Sequence, residues 1–386
     1  MSAVKEKLTD YYFKTEALTV GYNGKPLIKD IEIRIKKGEI LTLIGPNGSG
    51  KSTILKSITK HLAAISGLVY IDGKNLAAIS AANTAKKISV VLTERIKPEM
   101  MTCREVVSMG RYPYTNHFGR LTERDREIVW ESLEKVHAAD LAEREFSDMS
   151  DGQKQRIMLA RAICQEPDII VLDEPTSFLD IKHKIELLDI LRNMSAEKGI
   201  TVIMSLHEID LAPKISDKVM CVKGDRISRF GVPDEIFCAD IINDLYDITR
   251  GSYNMTFGSV ELSRPAGDPK IFIIAGNGRG TPVYRKLQKH GVPFMTGILF
   301  ENDIDYQTAL SLASKIYSEK AFCDISDDVF ANALCGMKSA SAVICACGDG
   351  GIYNQKNIKL RIEAEAEGIP VFYEDGIDGA LLKLGG

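Results

Sequence analysis

The sequence predicts an α/β protein of two domains: a phosphate-loop domain with an inserted helical lobe, and a smaller C-terminal doubly wound parallel α/β domain. Three observations predict this fold class. A glycine-rich loop at residues 45–53 joins an apolar strand pattern to a helix pattern, a mainly helical stretch occupies about residues 95–161, and strand and helix patterns alternate again from residue 270. The length of 386 residues suits two domains.

The composition is that of a soluble globular protein, with 45% hydrophobic residues, 26% charged residues and a net charge of −4. The charged residues are spread along the chain, so no basic tract predicts a nucleic-acid partner. No stretch approaches the roughly 20 apolar residues that a membrane span needs. The charged first dozen residues do not resemble a secretory signal. We therefore expect a cytosolic protein that acts at a membrane only through a partner.

The loop at residues 45–53 fits the phosphate-loop pattern of a glycine, four free residues and then Gly-Lys-Ser/Thr. A strand that leads through such a loop into a helix directs successive backbone N–H groups at one anion. We expect Lys51 to reach the outer phosphates of a nucleotide and the Ser52 hydroxyl to bind magnesium. The predicted nucleotide-binding residues of the loop are Gly45, Pro46, Asn47, Gly48, Ser49, Gly50, Lys51, Ser52 and Thr53.

An aromatic residue, Tyr22, lies in the first predicted turn, about two dozen residues before the loop. Its ring is suited to stack on a nucleobase, which favours adenine without a hydrogen bond to a base edge. A tyrosine in a turn is more often simply half-buried, so its assignment depends on the other motifs.

A second anion site is predicted where a helix begins at residues 150–153, which are Ser150, Asp151, Gly152 and Gln153. Ser150 and Asp151 suit the cap of a helix whose first N–H groups are free to bind an anion. The phosphate loop already holds its own phosphate. This second site therefore needs a phosphate from another source.

Two carboxylates, Asp173 and Glu174, follow the apolar strand pattern at residues 169–172. Acids at the C-terminal end of a strand beside a phosphate loop are placed for magnesium and for water. We expect Asp173 to serve the metal and Glu174 to orient or deprotonate the attacking water. His207 follows another apolar strand pattern at residues 201–205 and is expected to contact a terminal phosphate.

Eight cysteines are scattered along the chain without paired metal-ligand spacings. Six of them are expected to be reduced, mostly packing residues: Cys103, Cys164, Cys221, Cys238, Cys323 and Cys335. Cys345 and Cys347 form a Cys-x-Cys beside glycines, for which metal binding, redox chemistry and plain packing all remain open.

These motifs occur in the order and rough spacing of the ATP-binding-cassette (ABC) ATPases, which the chain resembles over about residues 14–250. The residues that carry the resemblance are Tyr22, the loop at 45–53, Glu94, the segment 150–153, Asp173, Glu174, Asp180 and His207. The resemblance implies ATP hydrolysis with Mg²⁺ as cofactor. It assigns Ser52, Glu94 and Asp173 to the metal, and Glu174 and His207 to catalysis.

The resemblance also implies a homodimer. In this family the helix that begins at Ser150 completes the nucleotide site of a second copy, so two ATP molecules lie between two subunits. Residues 150–153 and Asp180 then act across the dimer, which explains the second anion site. Glu94 stands where the family usually has glutamine, a charge change that can alter metal affinity or the pH profile. Met149 replaces the usual leucine and conserves volume.

Three further segments, at residues 110–114, 179–183 and 231–237, look like the importers of iron-siderophores, haem and cobalamin. This implies an integral-membrane permease that docks near residues 94–114, an external substrate-binding protein, and a place on the cytoplasmic face of the inner or plasma membrane. One alternative is a soluble ABC ATPase outside transport, which usually requires two cassettes in one chain. The other is a regulatory ATP-binding module without turnover, and the presence of Glu174 and His207 argues against it.

The C-terminal part is predicted as a linker at 251–269 followed by a Rossmann-like domain at 270–386. The predicted strands lie at 271–275, 294–299, near 321, at 342–346 and at 370–373, and the predicted helices at 282–290, 306–317, about 328–337 and 357–367. Strands that alternate with helices in this way predict a parallel, doubly wound sheet.

Glycine-rich loops follow the first and fourth strands of this domain, at residues 276–280 and 347–351. Ligands of such sheets bind at the C-terminal ends of the strands. The domain is therefore either a small-ligand sensor whose pocket these loops form, or a dimerisation or packing appendage. Thr281 stands where the third glycine of Gly-x-Gly-x-x-Gly belongs, which argues against a dinucleotide.

Overall fold

The computed structural model describes residues 11–92, 98, 100–116, 118–348 and 351–383. The chain divides into two compact units, with the boundary between Phe237 and Cys238. None of the described helices combines the length and the apolar character that a membrane span needs.

The N-terminal unit contains eleven strands and eight α-helices among its described residues. The strands are β1 (Phe13–Tyr22), β2 (Lys25–Ile31), β3 (Arg34–Ile35), β4 (Ile40–Ile44), β5 (Ser66–Ile71), β6 (Lys74–Asn75), β7 (Ile88–Val91), β8 (Ile169–Leu172), β9 (Thr201–Ser205), β10 (Lys218–Lys223) and β11 (Arg226–Gly231). The helices are α1 (Lys51–Ile58), α2 (Ala81–Lys87), α3 (Cys103–Ser108), α4 (Glu123–Lys135), α5 (Asp151–Cys164), α6 (Ile181–Lys198), α7 (Ala212–Ile215) and α8 (Pro233–Ile236).

The central sheet of this unit has the strand order β11-β10-β4-β9-β8-β7. All neighbours pair in parallel except β10 and β11. Every residue of β4, β8 and β9 is buried, as expected for parallel strands covered on both faces. Their C-terminal ends lie at one edge of the sheet, so the phosphate loop, the two carboxylates and the histidine emerge at that same edge.

A second, antiparallel sheet brings in the predicted aromatic residue. Its strand order is β2-β1-β5-β6, with β3 paired to β1. Tyr22 is the last residue of β1 and pairs with Lys25 across the turn to β2. The aromatic ring is thus held at the end of a strand next to the phosphate loop.

The helical lobe comprises α3, α4 and α5, and each of these helices begins with a capping box, formed by Thr102, Thr122 and Ser150. A 3₁₀ helix, Met109–Tyr114, interrupts the lobe at the predicted break. A Cβ at Gly110 would lie 2.3 Å from the carbonyl oxygen of Arg161, so glycine permits close packing on α5. The buried Arg111 next to it donates to Asp125 and Glu166, at 2.8 Å each.

The C-terminal unit carries seven strands and six α-helices in the part of it that is described. The strands are β12 (Ser252–Asn254), β13 (Ser259–Glu261), β14 (Ile271–Ala275), β15 (Phe294–Phe300), β16 (Lys315–Glu319), β17 (Ala342–Ala346) and β18 (Val371–Tyr373). The helices are α9 (Ala239–Leu245), α10 (Gly280–Lys289), α11 (Ile304–Leu312), α12 (Asp327–Lys338), α13 (Gln355–Ala366) and α14 (Ile377–Lys383).

The main sheet of this unit is parallel throughout and has the order β16-β15-β14-β17-β18, which confirms the predicted doubly wound fold class. The chain starts at the central strand β14, fills one half of the sheet, and then returns to β17 to fill the other half. The point where the order reverses lies between β14 and β17. In sheets of this kind, ligands bind outside the strand ends at that point.

Three predicted segments of this unit are corrected. The helix predicted at 306–317 ends at Leu312, and the strand predicted near residue 321 is β16, which runs from Lys315 to Glu319. The segment predicted as a linker, 251–269, contains the hairpin β12-β13. This hairpin belongs to the C-terminal unit, because Asn254 donates to the carbonyl oxygen of Gln307 at 2.9 Å.

Candidate nucleotide site

The phosphate loop leaves the buried strand β4 and enters α1 through backbone conformations that glycine favours. Gly45 has φ 145°, and Gly50, the cap of α1, has φ 96°. A Cβ at Gly45 would lie 2.2 Å from the carbonyl oxygen of Val222, and one at Gly50 would lie 2.6 Å from the Cδ1 of Ile28. Glycine is therefore required at both positions for the backbone to follow this path.

We expect Gly45→Ala to destabilise the N-terminal unit by about 2 kcal/mol or more, because the backbone strain and the clash with a carbonyl group both oppose the loop. The matched control is Gly73→Ala, where φ is 69° but nothing lies within 4 Å of the added Cβ. Urea unfolding, monitored by the hydrogen exchange of the amides in residues 40–58, measures the loss of stability in both variants. Equal losses for the two variants would show that the close approach to Val222 does not matter.

Lys51 folds back across the loop. Its Nζ donates to the carbonyl oxygens of Gly45, at 2.8 Å, and Pro46, at 2.9 Å. Burial lowers the pKa of Lys51, and the charges of Glu174 and Asp173 oppose this shift. The Ser49 hydroxyl is buried without a hydrogen-bond partner among the described residues. The loop thus holds a buried cation and an unsatisfied polar group, which fit an oxyanion such as a nucleotide phosphate.

A cavity of about 330 Å³ unites most of the predicted ATP-binding residues with the predicted general base. Tyr22, about half exposed, lies at its edge with its hydroxyl 3.2 Å from the Thr53 Oγ1. The residues that line this cavity are Tyr22, Leu27, Asn47, Gly48, Gly50, Lys51, Ser52, Thr53 and Glu174. The remaining loop residues, Gly45, Pro46 and Ser49, support the loop without lining the cavity.

The two predicted catalytic side chains contact each other. The Nε2 of His207 lies 2.6 Å from the Oε1 of Glu174, and both side chains are about one-third exposed. The Ser177 hydroxyl donates to the other carboxylate oxygen of Glu174 at 3.2 Å. The carboxylate is thus held from two sides at the edge of the phosphate cavity.

Sequence reasoning missed Ser205, which connects the two carboxylate residues. Its hydroxyl accepts a hydrogen bond from the backbone N–H of Glu174, at 2.9 Å, and donates to the Oδ1 of Asp173, at 2.8 Å. Ser205 and Asp173 are both buried. The signal in the sequence was a hydroxyl residue at the C-terminal end of a mostly apolar buried strand.

Glu208 was also missed, although it directly follows the predicted histidine. It accepts a hydrogen bond from the Thr176 hydroxyl, at 2.7 Å, and forms an ion pair with Lys184. Burial would raise the pKa of Glu208, but the hydrogen bonds from Lys184 and Thr176 outweigh burial and lower it. Glu208 therefore ties the end of β9 to the segment after Glu174 and to α6.

The residues predicted to act across a dimer form a second cavity, of about 480 Å³, which shares no lining residue with the phosphate cavity. The Ser150 hydroxyl caps α5 by accepting from the N–H of Gln153, and Gln153 accepts from the N–H of Ser150 in return. Asp180 caps α6 by accepting from the N–H of His183, and this bond lowers the pKa of Asp180. The lining residues are Ser150, Asp151, Gly152, Gln153, Arg156, Phe178, Leu179, Asp180 and His183.

Two of the three predicted magnesium ligands, Ser52 and Asp173, lie near the phosphate loop. Ser52 lines the phosphate cavity, and the charge of Asp173 acts on Lys51 in the same loop. A hydroxyl and a carboxylate are the hard oxygen ligands that Mg²⁺ prefers, and Mg²⁺ usually takes its other ligands from phosphate and water. The residues present therefore fit the ion. Glu94 lies outside the described residues.

Comparison with known proteins decides the family. The family model described as ABC transporter matches residues 28–177, and the MJ0874 family model matches residues 294–379. An ABC transporter ATP-binding protein of Methanocaldococcus jannaschii, MJ0873, itself uncharacterized, is 46% identical over 74% of this chain and 99% of its own length. The chain belongs to the ABC transporter ATP-binding proteins. It is therefore an ABC ATPase with a further C-terminal domain.

Two relatives among the ABC proteins are named as import components. The iron(3+)-hydroxamate import ATP-binding protein FhuC of Bacillus subtilis is 37% identical over 61% of this chain and 87% of its own length. The cobalamin import ATP-binding protein BtuD of Halobacterium salinarum is 30% identical over 85% of this chain and 83% of its own length.

A solved structure supports the ABC fold. The ATP-binding cassette MJ0796, in a dimeric post-hydrolysis state with ADP and Pi, aligns with a TM-score of 0.52 at 27% identity. The alignment covers 57% of this chain and 98% of that chain.

Proposed function

We propose that this ABC ATPase is the energising subunit of an importer for an iron-siderophore, haem or cobalamin-type substrate. The observation that carries the proposal is the similarity to import ATP-binding proteins over 83% and 87% of their lengths. In this role the chain acts on the cytoplasmic face of the membrane, bound to permease subunits that receive substrate from an external binding protein.

The predicted site residues have the following proposed roles in ATP binding and hydrolysis. Lys51 and the loop amides hold the outer phosphates, and Tyr22 stacks on the adenine. Glu174 accepts the proton of the attacking water, and its contacts with His207 and Ser177 hold the carboxylate in position for this. His207 contacts the γ-phosphate. Mg²⁺, when bound at Ser52, Asp173 and Glu94, offsets the charge that develops on the phosphates.

We further propose that two copies form the working ATPase. The cavity at Ser150 and Asp180 is separate from the phosphate cavity, so one copy alone does not bring the two sets of residues together. The N-terminal end of α5, the positive end of the helix dipole, is suited to a partner's γ-phosphate. The dimeric arrangement of the MJ0796 cassette supports this proposal.

The permease is proposed to dock at a groove between α2 and the helical lobe. This groove, of about 320 Å³, has Ala81 and Ala85 of α2 on one side and Met109 and Gly110 of the lobe on another. Met109, which lines this groove, is 45% exposed, and Tyr112, three residues further on, is 76% exposed, so apolar surface is available here to a partner. A cytoplasmic helix of a permease, with its own apolar side chains, is the occupant to which we commit.

The test replaces Met109 with glutamate, which places a charge on the groove. We expect basal ATPase activity to stay within about twofold and stimulation by the co-purified permease to fall at least about tenfold, because burying an unpaired charge opposes docking. Trp130→Glu is the matched control, since Trp130 is 45% exposed on α4 in the same lobe but does not line the groove. Normal stimulation of the Met109→Glu protein would exclude this docking surface.

A further inference from the structure

The C-terminal unit has a cavity of its own at the point where its strand order reverses. The cavity has a volume of about 390 Å³. It is bordered by Arg279 before α10, Cys345 of β17, Arg361 of α13, and Tyr373, Glu374 and Asp375 at the end of β18. Both its position and its size are typical of sites for small molecules.

The usual anion site of such a domain, the start of its first helix, is already filled by protein groups. The N–H groups of Gly280 and Thr281 donate to the buried carboxylate of Asp305, at 2.9 and 2.8 Å. The N–H of Asn277 donates to Asp303 at 2.8 Å. These bonds leave no place there for the pyrophosphate of a dinucleotide. An anion in this domain must therefore use other groups.

Arg361 is such a group. In the described part of the chain its guanidinium has no carboxylate partner, and its Nε is buried without a hydrogen-bond acceptor. Buried polar groups are nearly always hydrogen-bonded. The described residues supply no acceptor for this Nε and no carboxylate for the guanidinium, so an anionic group that enters the cavity is suited to that place.

The guanidinium of Arg279 also borders the cavity, and it has room there because residue 348 is a glycine. Gly348, with φ 63°, follows β17, and a Cβ there would lie 2.5 Å from the Nη1 of Arg279. Among the described residues, Arg279 has Glu374 as its carboxylate neighbour, at a long 3.5 Å, and both side chains are about half exposed. A long, exposed ion pair of this kind is weak, so Arg279 remains available to an incoming anion.

The cysteine at the base of the cavity indicates the sign of the local field. A hydrogen bond from Cys347, whose Sγ lies 3.6 Å away, lowers the pKa of Cys345 to about 7. The charge of Arg361 contributes to this lowered pKa, and burial and the charge of Glu374 oppose it. The positive charge of Arg361 thus acts on a thiol that lines the cavity. Cys345, which lines the cavity, and the adjacent Cys347 also provide a chemical reporter of its occupancy.

We propose that this cavity binds a small metabolite that presents a phosphate or carboxylate group to Arg361 and Arg279, and hydroxyl or amino groups to Glu374 and Asp375. The cavity volume limits the ligand to about the size of a mononucleotide. The site lies within the C-terminal unit, and the proposal does not depend on which substrate the importer carries.

The test measures alkylation of Cys345 and Cys347 by iodoacetamide in the full-length protein, resolved by mass spectrometry of the peptides. The probes are ribose 5-phosphate, citrate, inorganic phosphate and, as the uncharged control, ribose. We expect ribose 5-phosphate or citrate at millimolar concentration to slow alkylation at least about fivefold, as saturation of the site predicts. Protection by one and not the other distinguishes a phosphate from a carboxylate ligand. Cys323 and Cys335, both exposed, should react at unchanged rates.

Substitutions of the two arginines test whether protection from alkylation depends on them. Arg361→Gln and Arg279→Gln should each remove the protection, expressed as the ratio of rates without and with the probe in the same variant. Lys359→Gln is the matched control because it removes a positive charge from an exposed position of the same helix, and it should keep the protection. Failure of all charged probes to protect, or protection that survives both arginine variants, would overturn the proposal.

Discussion

Replacing Glu174 with glutamine is expected to reduce steady-state ATP turnover at least about 100-fold while ATP binding remains, because the amide keeps the shape of the side chain but does not accept a proton. The hydrogen bond from Ser177 and the backbone bond to Ser205 survive the substitution. Single-turnover hydrolysis and equilibrium binding of a fluorescent ATP analogue measure the two quantities separately.

The matched control for this variant is Asp189→Asn, which makes the same change of functional group at an exposed position of α6. We expect it to hydrolyse ATP at the wild-type rate. Glu174→Gln with full activity would remove Glu174 as the base and would direct attention to Asp173 or His207.

Replacing Lys51 with alanine is expected to weaken ATP binding by about 10-fold to 100-fold, since charge-assisted hydrogen bonds contribute about 1.5–3 kcal/mol each. The lysine is only 5% exposed, and its ammonium group bridges the two ends of the loop through Gly45 and Pro46. Isothermal titration with ATP gives the dissociation constant.

Lys29→Ala removes the same charge from an exposed position of β2 and should leave the affinity for ATP unchanged. Circular dichroism of both variants checks that the unit is folded. An unchanged dissociation constant in folded Lys51→Ala would show that the loop binds phosphate through its backbone alone.

The central strands of both units follow directly from the sequence. The patterns at residues 40–44, 169–172 and 201–205, and at 271–275 and 342–346, match the observed strands residue for residue. These strands are wholly buried, so each is a largely apolar run, the clearest signal that a buried parallel strand gives. In the N-terminal unit, the motifs that follow these strands, namely the phosphate loop, the two carboxylates and the histidine, then indicated that the C-terminal ends of the strands meet at one site.

The C-terminal sheet shows where local pattern fails. The apolar residues of α11 continue into Ile316 and Tyr317 without a glycine or proline, so the sequence suggested one long helix. In the structure, residues 315–319 pair with β15, and the Tyr317 ring packs 5.7 Å from that of Phe272. Pairing between distant segments decides the structure here, and a local pattern does not contain that information.

The hairpin β12-β13 in the predicted linker was not predicted, for a related reason. Its strands have three residues each, and proline and glycine follow in the segment 264–269. The contacts that hold it are distant in sequence: Asn254 with Gln307, and Glu261 with Arg285. Ser205 was missed in the same way, because its hydrogen bonds join strand ends 31 and 32 residues apart.

The central claim, that ATP hydrolysis by this chain energises uptake, is tested most directly in vesicles that contain the chain and its co-purified permease, loaded with ATP and Mg²⁺. Cobalamin and a ferric hydroxamate are offered outside with the matching binding protein. The account predicts ATP-dependent accumulation of one of these compounds with the wild-type chain and none with Glu174→Gln. ATPase activity that the permease does not alter, together with no accumulation of either compound, would contradict it and favour an ABC ATPase outside transport.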